Sequence, residues 1–186
     1  MKLAICSSSI EDLDKKYIND CNTYLDDLFK ENNDLVYGAY NKGLMNISYQ
    51  KAIKYKRNVI GITPKIFERD AKDIECHKII TDNISNRTVQ LIEHADALIF
   101  LPGGIGTIYE LFTSIELIRS KEYTKPIIIY NCNGYFDKLL TFLDTMYKEK
   151  FANTSIREYY HISDSSTDTI NYLNKYFKER KNQWEN

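Results

Sequence analysis

The chain has 186 residues, 43% hydrophobic and 27% charged, with 25 basic against 26 acidic side chains and a net charge of −1. That is the balance of one folded domain large enough to bury a full core, and it excludes a nucleic-acid binder held mainly by phosphate contacts. Four dispersed cysteines without a C-x-x-C pair fit neither a zinc site nor a dense disulfide framework, and no apolar run approaches the ~18 residues that span a membrane.

The opening run Met1–Cys6 is too short for a signal peptide and reads as a strand, so a cytoplasmic protein with reduced thiols is expected. In chain order, strands are predicted over Lys2–Cys6, Leu35–Tyr37, Asn58–Ile62, His77–Ile80, Ala97–Leu101 and Ile127–Tyr130. Helices are predicted between them over Ile10–Glu31, Leu44–Lys56, Ser85–His94, Thr107–Ser120 and Phe136–Lys150, with a last one over Thr167–Arg180. Such alternation implies right-handed crossovers, hence an α/β class: one Rossmann-like, doubly wound domain over residues 1–180, its mainly parallel sheet covered by helices on both faces. Residues 181–186 read as a frayed tail.

In such a sheet, ligands bind beyond the carboxyl ends of the strands. The segment Leu101-Pro102-Gly103-Gly104-Ile105-Gly106-Thr107-Ile108-Tyr109-Glu110 lies there, with three of the chain's seven glycines inside four positions. A glycine loop between strand and helix lets backbone N–H groups approach an anion, and the helix dipole favours it, so phosphate is the expected ligand. Arg87 and Glu110, 23 positions apart, each fall in the first turn of a helix after a strand and should meet on the same rim. Glu110 has a second reading, since Thr107-x-x-Glu110 matches a capping box. Arg87 opposes its helix dipole unless a phosphate, a substrate oxygen or Glu110 offsets it; a solvated surface residue is the lesser alternative.

Ser7, Ser8 and Ser9 are placed to cap the following helix or to contact a nucleotide. Gly38 and Gly43 are turn residues with phosphate or sugar contact as a secondary reading, and Tyr109 is placed to touch a base. The scattered histidines His77, His94 and His161 are assigned neither metal nor acid–base work.

Pro102 to Glu110 reproduces P-G-G-x-G-T-x-x-E without a mismatch, and Arg87 stands a short helix upstream, where a second hallmark places an arginine. On these residues the chain resembles the LOG ("Lonely guy") family of cytokinin-activating nucleoside 5′-monophosphate phosphoribohydrolases, often labelled possible lysine decarboxylases. Weaker matches at Ile5–Ser9, Val36–Gly38, Gly43–Met45, Val59–Pro64, Lys125–Ile127 and Asn133–Asp137 extend the resemblance over about residues 1–175. There are departures. Gly38-Ala39-Tyr40 stands where the family usually has three glycines, Asn46 replaces another glycine, Ser7 replaces the first-loop glycine, and Ser85-Asn86-Arg87-Thr88 replaces His-Glu-Arg-Lys.

The resemblance implies hydrolysis of the N-glycosidic bond of a purine nucleotide, N6-prenylated in the cytokinin case, with Arg87 and Glu110 catalytic. Ser7, Ser8, Gly38, Gly43, Pro102, Gly103, Gly104, Ile105, Gly106 and Thr107 would bind the nucleotide. It also implies no metal or organic cofactor, a small-molecule nucleotide as partner, no nucleic acid or membrane, and a homodimer. Two rival readings stay open: a nucleosidase acting on AMP or a related purine nucleotide, and a non-catalytic nucleotide-binding carrier or sensor.

Overall fold

A computed structural model describes residues 1–152 and 156–184. Its seven strands are β1 (Lys2–Cys6), β2 (Asp34–Tyr37), β3 (Val59–Pro64), β4 (His77–Thr81), β5 (Ala97–Phe100), β6 (Ile127–Tyr130) and β7 (His161–Ser163). All neighbouring pairs run parallel, in the order β4-β3-β2-β1-β5-β6-β7. The helices are α1 (Lys15–Lys30), α2 (Gly43–Lys54), α3 (Ile84–His94), α4 (Ile105–Arg119), α5 (Asp137–Lys148) and α6 (Ser166–Trp184).

Side-chain alternation along β1 sets the two layers, because successive residues on a strand face opposite ways. Leu3 and Ile5 join α1, α2 and α6 in one core, while Ala4 and Cys6 join α3, α4 and α5 in the other. Both faces being covered, the inner strands read as unbroken apolar runs such as Ile127–Tyr130, all four residues buried. The doubly wound α/β expectation holds.

Several boundaries differ from the sequence reading. Helix α1 starts at Lys15 and not at Ile10, because the Asp14 side chain accepts from the Lys16 N–H and caps it; none of the three serines does. Strand β7 went unpredicted: it has three residues, and it exists by pairing with β6, Ile162 opposite Ile129. Helix α6 continues past Arg180 to Trp184, and Glu185 and Asn186 lie outside the described residues.

From β1 the chain steps outward through β2 and β3 to β4. Helix α3 then crosses back over β3, β2 and β1 to deliver β5 on the other side of β1. The loops leaving β1 and β5 therefore diverge, which opens a crevice at the carboxyl end of the sheet. That crevice holds the candidate site.

Candidate active site

Two backbone bonds stitch the diverging loops at their base. Leu101 N–H donates to the Cys6 carbonyl at 2.9 Å, and Ser8 N–H donates to the Pro102 carbonyl at 3.0 Å. The Ser8 hydroxyl accepts from the Ile10 N–H at 3.1 Å, so this serine closes its own turn. Gly43, at φ +56°, packs on the same loop: a Cβ there would sit 2.4 Å from the Ile10 carbonyl oxygen.

Helix α4 begins at Ile105 with Gly104 as N-cap and no side chain capping it. Thr107 is thus already inside the helix, the capping-box reading fails, and Glu110 stands in the second turn and not the first. The three glycines separate by role. A Cβ on Gly103 would fall 2.1 Å from Thr107 Oγ1, so this glycine makes room for the threonine. At Gly104 and Gly106 a Cβ would meet nothing within 4 Å. Gly104 has φ −86° and Gly106 is helical, so neither backbone calls for glycine. Their missing side chains leave open the approach to an uncapped helix N-terminus, the geometry that takes an anion. Beside it, the Tyr135 hydroxyl donates to the Gly103 carbonyl at 2.7 Å and ties the loop to the segment after β6.

This division predicts separable phenotypes. Gly103→Ala collides with Thr107 and is expected to destabilise the fold by about 1–3 kcal/mol. Gly104→Ala and Gly106→Ala should leave the melting temperature within about 1 °C, since surface changes without packing consequences stay within ±0.5 kcal/mol, and should weaken nucleotide binding instead. Thermal melts and nucleotide titrations of the three variants check this. Equal melting losses in all three would show that the glycines serve packing alone.

Asn83 caps α3 by accepting from the Asn86 N–H at 2.8 Å, which sets Arg87 near the start of that helix. Arg87 Nη2 donates to Glu110 Oε1, and the two side chains are only 13% and 8% exposed. The sequence-predicted meeting on the rim therefore occurs. Cys6, buried at the end of β1, lies beside the Glu110 carboxylate. Burial pushes the Glu110 carboxyl above the usual carboxylate range, while the Arg87 charge and the neighbouring Cys6 thiol act against that push. The same burial, with the Glu110 charge beside it, pushes the Cys6 thiol well up.

Gly38 serves this pair: a Cβ there would lie 3.1 Å from Arg87 Nη1 and 2.5 Å from Met45 Cε. Ala39 adopts φ +52°, so the backbone keeps a glycine-type conformation although the residue is alanine. Two polar atoms at the rim have no partner among the described residues, Ser7 Oγ and Arg87 Nε, both buried. Buried polar atoms are nearly always paired, so each is available to a ligand. Tyr109 is 39% exposed and donates to the Ser85 hydroxyl at 3.1 Å, bridging α4 to α3. Sequence reasoning assigned no role to Cys6, Tyr135 or Met45; the one signal it had for Cys6 was its place as the last residue of a strand that opens on the crevice.

A family model described as "Possible lysine decarboxylase" matches residues 45–173. Cytokinin riboside 5′-monophosphate phosphoribohydrolase LOG1 of Arabidopsis thaliana is 31% identical over 167 residues, spanning 86% of this chain and 78% of that protein. The chain belongs to the LOG family. Its relative LOG2 of the same plant is 33% identical over 151 residues, 80% of this chain and 71% of that protein. Among solved structures, the molybdenum cofactor carrier protein of Chlamydomonas reinhardtii superposes with a TM-score of 0.66 at 14% identity, over 94% of this chain and 96% of that one. At that identity the likeness shows the shared fold alone. Within the LOG family, relatives named as phosphoribohydrolases support an enzyme of that general class. No helix of the described residues is long and apolar enough to cross a membrane.

Proposed function

We propose that this LOG-family protein hydrolyses the N-glycosidic bond of a purine nucleoside 5′-monophosphate, releasing free base and ribose 5-phosphate. The relatives' names make cytokinin ribotides, which carry an N6 substituent on the purine, the first substrates to try. The observation that supports the reading most is the pair Gly104 and Gly106. Nothing in the fold requires them, and they flank an uncapped helix N-terminus just ahead of the buried Glu110–Arg87 pair.

In this reading the 5′-phosphate sits at the start of α4, on the backbone N–H groups of Ile105, Gly106 and Thr107, with Pro102–Gly104 shaping the loop. Binding energy gained there holds the ribose against Glu110. As the C–N bond lengthens, the sugar takes on oxocarbenium character, which an ionised carboxylate stabilises. The same carboxylate orients the attacking water and accepts its proton. Arg87 keeps Glu110 ionised despite burial, and its unpaired Nε and the Ser7 hydroxyl face substrate oxygens. Hydrolysis by this route needs neither a metal nor an organic cofactor.

The protein acts as a homodimer in the cytoplasm in this proposal. Ile105 and Tyr109 on α4, with Phe142 and Tyr147 on α5 and Phe151 beyond it, are exposed apolar residues that a second copy could cover.

The test is to incubate the purified protein with AMP and with isopentenyladenosine 5′-monophosphate and to follow free base by chromatography. Release from the prenylated nucleotide supports the cytokinin assignment. Preference for AMP makes the protein a general purine nucleotide nucleosidase. Binding of either nucleotide without release overturns the enzymatic reading in favour of a carrier or sensor.

A further inference from the structure

We infer that Tyr135 is a positioning residue for the anion loop: its hydroxyl holds the Gly103 carbonyl so that the Gly104 N–H of the same peptide serves as a further donor to the phosphate. This role rests on the phosphate-binding reading above and goes beyond it by naming an added backbone donor and the side chain that aims it.

Three successive carbonyl oxygens of the loop are each held by a donor of the protein. The Pro102 oxygen accepts from Ser8 N–H at 3.0 Å, the Gly103 oxygen from the Tyr135 hydroxyl at 2.7 Å, and the Gly104 oxygen from Ile108 N–H at 3.1 Å. A trans peptide is planar and points its oxygen and its N–H in opposite directions, so fixing one fixes the other. None of the described peptides is cis. With the three oxygens taken, the N–H groups of Gly103, Gly104 and Ile105 are what the loop offers an anion, the arrangement of a backbone nest.

The middle peptide is the vulnerable one. Its neighbours are held by backbone, one by the first βα loop and the other by the first turn of α4. The Gly103–Gly104 peptide lies between two residues without side chains, where rotation costs little. Turned over, it would present its oxygen to the phosphate and repel it. Only the Tyr135 hydroxyl is recorded on that oxygen.

The hydroxyl is delivered from a braced frame. The Tyr135 ring meets Tyr17 of α1 edge-on at 5.6 Å and Phe136 at 4.9 Å. Tyr135 N–H donates to the Cys132 carbonyl at 3.0 Å, and Phe136 N–H to Asn131 Oδ1 at 2.8 Å. Asn131 Nδ2 donates in turn to Asp137 Oδ1 at 2.7 Å, and Asn133 Nδ2 to Asp20 Oδ2 at 2.9 Å. Tyr135→Phe therefore removes the hydroxyl and leaves the ring contacts in place.

The test titrates parent and Tyr135→Phe with ribose 5-phosphate, which carries the phosphate and no glycosidic bond to a base, and with adenosine, which lacks the phosphate. Affinity for ribose 5-phosphate should fall about five- to twentyfold in the variant, with adenosine held within about twofold. The melting temperature should drop by no more than about 4 °C, the loss of one hydrogen bond. Unchanged ribose 5-phosphate affinity overturns the inference, as does an equal loss for adenosine. If the parent itself binds no ribose 5-phosphate, the phosphate reading falls and takes the inference with it; a parent that binds beside an unaffected variant sinks the inference alone.

Nuclear magnetic resonance of isotope-labelled protein supplies a second readout. Ribose 5-phosphate should move the Gly104 amide proton downfield in the parent and much less in Tyr135→Phe, and without ligand the Gly103 carbonyl carbon should move upfield in the variant. A Gly104 amide that responds equally in both proteins, or a Gly103 carbonyl that stays put, overturns the role assigned to Tyr135.

Discussion

Glu110→Gln is expected to lower base release by about 10²- to 10⁴-fold, the range spanned by loss of a positioned acid–base group, with nucleotide affinity held within a few-fold. The amide keeps the size of the side chain and an oxygen that can still accept from Arg87, but it cannot carry charge or take a proton from water. The start of α4, where the proposal seats the phosphate, lies a full turn of the helix away and should lose nothing. Single-turnover kinetics and a nucleotide titration on the same preparation separate the two effects. If the variant keeps more than a tenth of the parent activity, Glu110 is a structural partner of Arg87 and another group carries the chemistry. If affinity collapses together with rate, the carboxylate serves binding and not the reaction.

Arg87→Ala should damage both stability and activity, with a particular dependence on pH. Breaking a buried pair leaves the remaining charge uncompensated at about 3–5 kcal/mol, and Glu110 is that remaining charge. Burial already raises the Glu110 carboxyl, and Arg87 is the main influence holding it down, so the substitution raises it further. Between the ordinary glutamate value near pH 4.3 and the raised folded value, the native state keeps a proton that the unfolded chain has lost. Stability attributable to Glu110 therefore falls as pH rises through that window and levels off above it.

The variant's deficit should accordingly be greatest at pH above the raised Glu110 value and shrink as the pH falls through it, where a protonated Glu110 needs no cation. The acid limb of its activity profile should shift to higher pH as well. Denaturant melts of the parent and Arg87→Ala at several pH values check this, with Arg87→Gln,Glu110→Gln as the charge-free control. A deficit that stays constant with pH would show that Arg87 acts by packing against Gly38 and Met45 and not through the charge of Glu110.

Much of this architecture is legible in the sequence. Alternating apolar strands and amphipathic helices imply crossovers, crossovers imply a parallel sheet, and the sheet puts the Gly103–Gly106 loop, Arg87 and Glu110 on one rim. Each step rests on local periodicity or on the handedness of a single βαβ unit, which neighbouring residues encode. The three-residue β7 was not legible. It carries one apolar residue, Ile162, between His161 and Ser163, and only the edge of β6 makes a strand of it.

Local patterning was enough for the doubly wound class, the glycine loop after β5, and the meeting of Arg87 with Glu110. Tertiary structure alone decided what each residue does there. It made Thr107 an interior helical residue packed over Gly103, turned Gly38 into space for a guanidinium, and left Ser7 Oγ unpaired. The physical reason is range. Helix and strand patterns are set by residues a few positions apart, whereas these contacts join positions separated by tens of residues, through the crossing of α3 and the register of β1 on β5.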